Sequence, residues 1–231
     1  MLSRLPKWVE YGAFLLALVA GYVNAIALLG FEHQAVSHLS GTATLVGSQI
    51  VNGSGQLFHL LGILLSFVFG SAISGFMLTG TSLKLGRFYD VLLVMEACFL
   101  LVAMYLLMND NTTGHFFASA ACGLQNALAT TYSGAVIRTT HVTGIFTDLG
   151  IMLGSAFRGK DLDKRKMWLF VIIVLGFISG GSVGTLVYDT YRFKALAIPA
   201  AFCFLLAIVY RIYRQKLIQT EPITFEQSSS Q

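Results

Sequence analysis

Six long apolar runs, at about 9–30, 57–80, 88–108, 116–137, 167–187 and 195–213, constrain this chain more than any other feature. Each is near the ~20 residues that an α-helix needs to cross ~30 Å of hydrocarbon at a rise of ~1.5 Å per residue. With 55% hydrophobic and 11% charged residues, the chain departs from soluble domains, in which about a quarter of residues are charged. It is expected to be an all-α membrane protein with six transmembrane helices. The first run follows Arg4 and Lys7 as a signal peptide would, but it exceeds a signal h-region and is read as a retained helix. The three cysteines, Cys98, Cys122 and Cys203, stand singly inside apolar runs, with no CxxC and no histidine set beside them. They are read as packing residues, and neither a metal site nor a cofactor is expected. The net charge of +4 sits in loops, which suits orientation in a bilayer. Nucleic acid is not expected as a partner, because there is no basic helix or aromatic-basic platform.

The second constraint is duplication. His141-Val142-Thr143-Gly144-Ile145-Phe146-Thr147-Asp148-Leu149-Gly150 is a near copy of His38-Leu39-Ser40-Gly41-Thr42-Ala43-Thr44-Leu45-Val46-Gly47. Upstream of each copy stands a second shared signature, Gly21-Tyr22-Val23-Asn24-Ala25 and Gly123-Leu124-Gln125-Asn126-Ala127. In both halves a long helix ends in a polar break, and a short apolar segment follows, from Gly41 to about Val51 and from Gly144 to Phe157. Such segments cover about half the hydrocarbon thickness. Ser40 and Thr143 are the expected N-caps, each offering a hydroxyl to an unpaired backbone amide. Ser66, Gly70 and Ser74 recur as Gly176, Gly180 and Gly184, small residues at every fourth position that let helices approach closely. Cys98-Phe99-Leu100-Leu101 recurs as Cys203-Phe204-Leu205-Leu206, whereas Glu96, opposite Ala201 in that alignment, and Pro199 have no counterpart.

Charge counting selects a topology. If each half-helix re-enters and leaves by the same face, the chain forms two inverted-topology repeats of three spans each, residues 1–110 and 111–214, followed by a disordered tail at 215–231. Lys84, Arg87, Arg158, Lys160, Lys164, Arg165, Lys166, Arg211, Arg214 and Lys216 then share one face with Arg4 and Lys7, leaving Arg192 and Lys194 opposite. The positive-inside rule favours this arrangement, with both termini cytoplasmic in the cell membrane. Irregular backbone at membrane depth persists only where it lines a cavity or is buried in protein, an arrangement found in transporters.

The candidate site residues come from the breaks. Asn24 and Asn126 lie inside apolar helices, where an unpaired amide costs a few kcal/mol, so each needs a partner; they either fix packing or hold the breaks and line a cavity. His38 and His141 are structural hydrogen-bonding residues or a titrating pair. Ser40, Gly41, Thr42, Thr143, Gly144 and Thr147 supply hydroxyls and close backbone approach at the half-helix N-termini. Asp148 is the main candidate, an ionisable group at membrane depth near a helix N-terminus. Arg138 is its potential counter-ion, or one for a substrate, or a residue snorkelling to a headgroup. Glu96 is read equally as a proton relay, a buried structural hydrogen bond or a dimer contact. The run Arg158 to Lys166 is read as a cytoplasmic anchor.

On these signatures the chain resembles the YoaK family of bacterial inner-membrane proteins, a six-span family of unknown function, over about 9–213. The second-half motifs match that family's pattern through Gly123, Asn126, Thr143, Gly144, Thr147 and Asp148. In the first half Asn24 replaces the family's Asp, and Ser40-Gly41-Thr42 replaces Thr-Gly-Asn. The resemblance implies the fold and no substrate.

The leading functional expectation is a small secondary transporter or channel, not an enzyme. Its solute is a small anionic or polar metabolite, held between two facing half-helix N-termini, with Asp148 or Glu96 coupling protons. A hydrolase is disfavoured because a Ser–His pair needs no duplication and no Gly-x-Ser-x-Gly elbow is present. A non-transporting membrane scaffold is the other alternative. A homodimer is expected if one small-residue stripe serves between protomers.

Overall fold

The computed structural model describes residues 7–30, 36–53, 55–78, 88–132 and 139–220. The described residues are helical with no strand: α1 (Lys7–Gly30), α2 (Leu39–Asn52), α3 (Leu57–Met77), α4 (Tyr89–Met108), α5 (Gly114–Tyr132), α6 (Val142–Phe157), α7 (Lys164–Tyr191) and α8 (Ala197–Thr220), with a 3-10 turn at Arg192–Leu196. Local chemistry explains several ends. Gly53 closes α2 in the left-handed region (φ 67°), its N–H donating to the Gln49 carbonyl. Asp163 caps α7 by accepting the Lys166 N–H at 3.0 Å. Pro199 falls in the first turn of α8, where no intrahelical amide is missed. That helix runs on to Thr220, so the expected tail from residue 215 begins as helix, and 221–231 lie outside the described residues.

The long helices pack in two parallel pairs, α1 with α7 and α3 with α5, joined by α4 against α5 and α8. The glycines set the close approaches. A Cβ at Gly176, Gly180 or Gly184 would run into backbone of Phe14, Leu18 or Tyr22, one turn apart along α1. A Cβ at Gly21 would in turn overlap the Phe177 carbonyl. The same contacts recur between α3 and α5, where Gly70 meets Ala120 and Gly123 meets Phe67. Both stripes are therefore occupied inside the chain, and neither is left to join two protomers, which removes the basis on which a homodimer was expected. The repeated Cys-Phe-Leu-Leu is also not structurally equivalent. Cys203 is buried and Cys98 exposed, so Cys98 is not a packing residue. Burial instead matches Ala97 and Leu100 with Ala200 and Cys203, which puts Glu96 opposite Pro199.

Two cavities reveal where the chain turns back. Gly30 at the end of α1 and Gln56 before α3 line one cavity together with His115 at the start of α5. The segment carrying α2 thus leaves and rejoins the same end of the bundle. At the opposite end, Tyr11 near the start of α1 and Ala129 near the end of α5 share a second cavity, and Glu10 accepts from Arg165 at 3.3 Å. The segment carrying α6 departs from and returns to that end. The short helices dock separately, α2 along α3 and α6 along α7, with Thr42 and Ile145 their buried residues.

Four described stretches are long and apolar enough to cross a bilayer: Glu10–Gly30, Leu57–Met77, Tyr89–Met108 and Lys164–Lys216, the last holding α7 and α8. α5, expected as a span at 116–137, does not qualify on apolarity, since it carries His115, Ser119, Gln125 and Asn126. It is instead the innermost helix, with every residue from 118 to 125 buried, so its neighbours shield its polar groups. Six spans were expected where four apolar stretches are found, and this all-helical membrane protein surrounds one polar helix with apolar ones.

Candidate functional site

The breaks are organised by buried polar groups on α1 and α5. Ser37, 6% exposed, donates its hydroxyl to Asn24 Oδ1 at 2.6 Å. The fully buried Ser119 hydroxyl on α5 donates to the Ile63 carbonyl at 2.8 Å and reaches the Val36 carbonyl at 3.2 Å. One break is thus tied to both central helices, which are themselves linked where Gln125 donates to the Leu16 carbonyl. Of the two readings of Asn24, holding the break describes what its side chain does.

The second break is not tied in the same way. Asn126 stands at the position of Asn24, yet its buried Oδ1 has no hydrogen-bond partner among the described residues. Thr139 is fully buried, and its Oγ1 has no partner among them either. An unmatched buried donor or acceptor costs about 1–3 kcal/mol, so both atoms call for a partner that the described residues do not supply. Arg138, the expected counter-ion, lies outside the described residues.

Both half-helices begin two residues earlier than expected. Their N-caps are His38 and His141, not Ser40 and Thr143, and neither forms a side-chain cap. The reason is steric. The ring of His38 lies over Gly41, where a Cβ would come within 2.8 Å of its Cδ2, and the ring of His141 covers Gly144 in the same way. These glycines make room for imidazoles, and the space beside them is already filled. Two hydroxyls also turn inward: Thr147 donates to the Thr143 carbonyl at 3.0 Å, as Thr44 does to Ser40 at 2.9 Å. Thr42 is buried at 2% exposure, while Ser40 and Thr143 are exposed. With the helix start moved back, Asp148 falls in the second turn of α6, not the first. It is exposed and makes no ion pair or hydrogen bond among the described residues. The helix dipole fades within the first turn, so it is a weak account of this carboxylate.

Comparison of the whole chain with known families gives one matching model over both halves. That model, "Protein of unknown function (DUF1275)", matches residues 12–209. The chain belongs to the DUF1275 family. This is the outcome implied by its resemblance to the YoaK family. No curated protein and no solved structure matches it.

Two further polar groups of this DUF1275 protein lie away from the breaks. Glu96 is 2% exposed between α4 and α8, where the Cys203 thiol hydrogen-bonds its carboxyl group while Oε2 has no partner among the described residues. That burial rules out a dimer contact. The other group is a histidine pair: His59 Nε2 and His115 Nδ1 lie 2.8 Å apart, rings edge to face, beside a cavity of about 450 Å³ that Gln56, Asp110, Asn111 and Thr112 also line. Sequence reading passed over this pair, since two single histidines far apart on different helices carry no spacing signal. No group of three or more metal-ligating side chains occurs among the described residues.

Proposed function

We propose that this DUF1275 protein is a small secondary transporter or channel, built from two inverted-topology repeats, for a small anionic or polar metabolite. In this reading α1, α3, α4, α5, α7 and α8 cross the cell membrane, both termini are cytoplasmic, and α2 and α6 re-enter from opposite faces. The recurrence of the Gly21–Phe177 and Gly180–Leu18 approaches as Gly123–Phe67 and Gly70–Ala120 supports the repeat relation. The opposed return paths of the α2 and α6 segments support the inversion.

One observation carries the functional reading: both half-helices begin without side-chain caps, and at the second break the buried Asn126 Oδ1 and Thr139 Oγ1 have no partner among the described residues. First-turn amides attract anionic or carbonyl oxygens. The Asn126 carbonyl oxygen takes an N–H or O–H of the same solute, and the Thr139 hydroxyl serves as donor or acceptor. The solute thus sits between the N-termini of α2 and α6, replacing the hydrogen bonds that Ser37 gives Asn24 in the other half. Asp148, unpaired and exposed on α6, is the proton-coupling group. Duplication suits a path through the membrane and has no use in a hydrolase, which needs one nucleophile and one base.

Uptake into proteoliposomes under an imposed pH gradient tests this, using labelled monocarboxylates, dicarboxylates, amino acids and nucleobases. At least one solute should accumulate. Asn126→Leu and Thr139→Val should each lower uptake about tenfold or more, the loss of one buried hydrogen bond of about 1.5 kcal/mol. Asp148→Asn should abolish gradient-driven accumulation while sparing exchange. Uptake of a solute that is unchanged in all three variants refutes the site; absence of any flux or ligand-induced thermal shift across the panel refutes transport.

A further inference from the structure

At the end of the bundle that carries the His59 and His115 pair, the cavity of about 450 Å³ adjoins a larger one of about 650 Å³. Leu107, Asp110 and Phe193 line both, so Asp110 stands where the two meet. The chemistry of the walls is divided. Arg192 and Lys194 line the larger cavity, whereas Asn111 and Thr112 add neutral polar groups to the smaller. Asp110, Arg192 and Lys194 are exposed, and none of them forms an ion pair among the described residues. Arg192 instead lies over the ring of Tyr188, a wall of the same cavity, 5.6 Å from its centroid. Backbone strain falls at the same place. Asp110 (φ 54°) and Arg192 (φ 51°) are the non-glycine residues with positive φ among those described. Aspartate tolerates such a backbone and arginine rarely does; it persists where the surrounding structure holds it, and it gathers at ligand sites.

We propose that the two adjoining cavities bind one small zwitterion, an α-amino acid with a polar, uncharged side chain. Its ammonium group lies at Asp110, its carboxylate at Arg192 and Lys194, and its side chain in the smaller cavity. Asp110 would oppose a simple anion and the two cations a simple amine, whereas a molecule carrying both charges side by side matches each wall. A guanidinium offers a carboxylate two parallel N–H donors. In the smaller cavity, Asn111 Oδ1 is taken up by the Thr113 N–H at 3.0 Å and the Thr113 hydroxyl at 2.8 Å. That leaves the Asn111 amide N–H groups and the Thr112 hydroxyl, unbonded among the described residues, for a side-chain hydroxyl or amide of the ligand. Cations on the outer side of a membrane work against its orienting rule, and in the topology proposed above Arg192 and Lys194 stand there; a carboxylate to be bound is a reason to keep them. An ethanolamine phospholipid headgroup carries the same pair of charges but has no polar side chain for the smaller cavity. The site is separate from the breaks, and binding at it does not depend on transport.

Ligand-detected NMR titration of the full-length protein in detergent micelles tests the assignment, with L-serine, L-threonine, L-asparagine and L-glutamine as probes. At least one should bind saturably. The matching amine without a carboxylate, and the matching acid without an ammonium group, should each bind about tenfold more weakly or worse. Asp110→Asn should weaken the amino acid about tenfold while leaving the acid unchanged or tighter, and Arg192→Gln with Lys194→Gln should weaken it likewise while sparing the amine. Helicity and elution volume should not change in these variants. Saturable binding by none of the four probes overturns the proposal, as do analogues that bind as well as the amino acid or wild-type affinity in both sets of variants. Competition by phosphatidylethanolamine added to the micelles assigns the paired charges to a lipid headgroup and overturns the free solute. The titration needs no gradient, so a failure of flux through the breaks and a failure of this site are read separately.

Discussion

Gly180→Ala tests the helix crossings most directly. The added Cβ would overlap the carbonyl oxygen of Leu18 and lie 2.7 Å from its carbonyl carbon and 2.9 Å from its Cα. Backbone cannot rotate aside as a side chain can, so α1 and α7 must part. Parting loosens the neighbouring contacts of Gly176 with Phe14 and Gly184 with Tyr22. Overpacking of this kind costs about 1–3 kcal/mol, while alanine gains about 1 kcal/mol over glycine in helix propensity. The two are separated by Gly47→Ala and Gly150→Ala, helical sites where a Cβ meets nothing within 4 Å and propensity acts alone. Gly180→Ala should therefore be less stable than either control by about 1–3 kcal/mol, and still less stable with valine. Gly70→Ala, whose Cβ would overlap the Ala120 carbonyl, should behave alike. Reversible unfolding in mixed detergent micelles, followed by far-UV circular dichroism, supplies the difference. If Gly180→Ala and Gly70→Ala match the controls, the helices are not held at backbone contact and the packing argument is wrong.

Ser37→Ala should cost about 1–2 kcal/mol in the same assay by leaving Asn24 Oδ1 without its donor, and adding Asn24→Leu should recover part of it. Gly144→Ala should destabilise α6 by expelling the His141 ring, whereas in a His141→Ala background it should be neutral or better; a coupling under about 0.5 kcal/mol would show that the ring does not occupy that space. Glu10→Gln should cost less than about 1 kcal/mol, because the pair with Arg165 is 37% and 20% exposed; a larger loss would mean that water does not reach it. In a cysteine-free background, Thr112→Cys should label from the face opposite Lys160→Cys; labelling of both from one face contradicts the inverted topology.

Membership in a helical membrane class, the long helices and the duplicated breaks were legible in the sequence, because apolar length and a repeated motif are local properties. What lay beyond it depended on which surfaces meet. Two stripes of small residues announced close helix contacts, but only the packed chain uses both internally, Gly70 on Ala120 and Gly180 on Leu18. The copied Cys-Phe-Leu-Leu suggested equivalence, yet Cys98 faces outward and Cys203 inward. Asn24 and Asn126 read alike, yet Asn24 is bonded to Ser37 while Asn126 Oδ1 has no partner among the described residues. The half-helix starts moved because an imidazole stacks on the glycine three positions ahead, a contact that a capping rule for hydroxyls does not foresee. The common cause is the solvent. In water a helix shows its inner face by polarity contrast, but in hydrocarbon both faces are apolar, so only glycines and rare polar groups mark the inside, and their partners are set by three-dimensional packing.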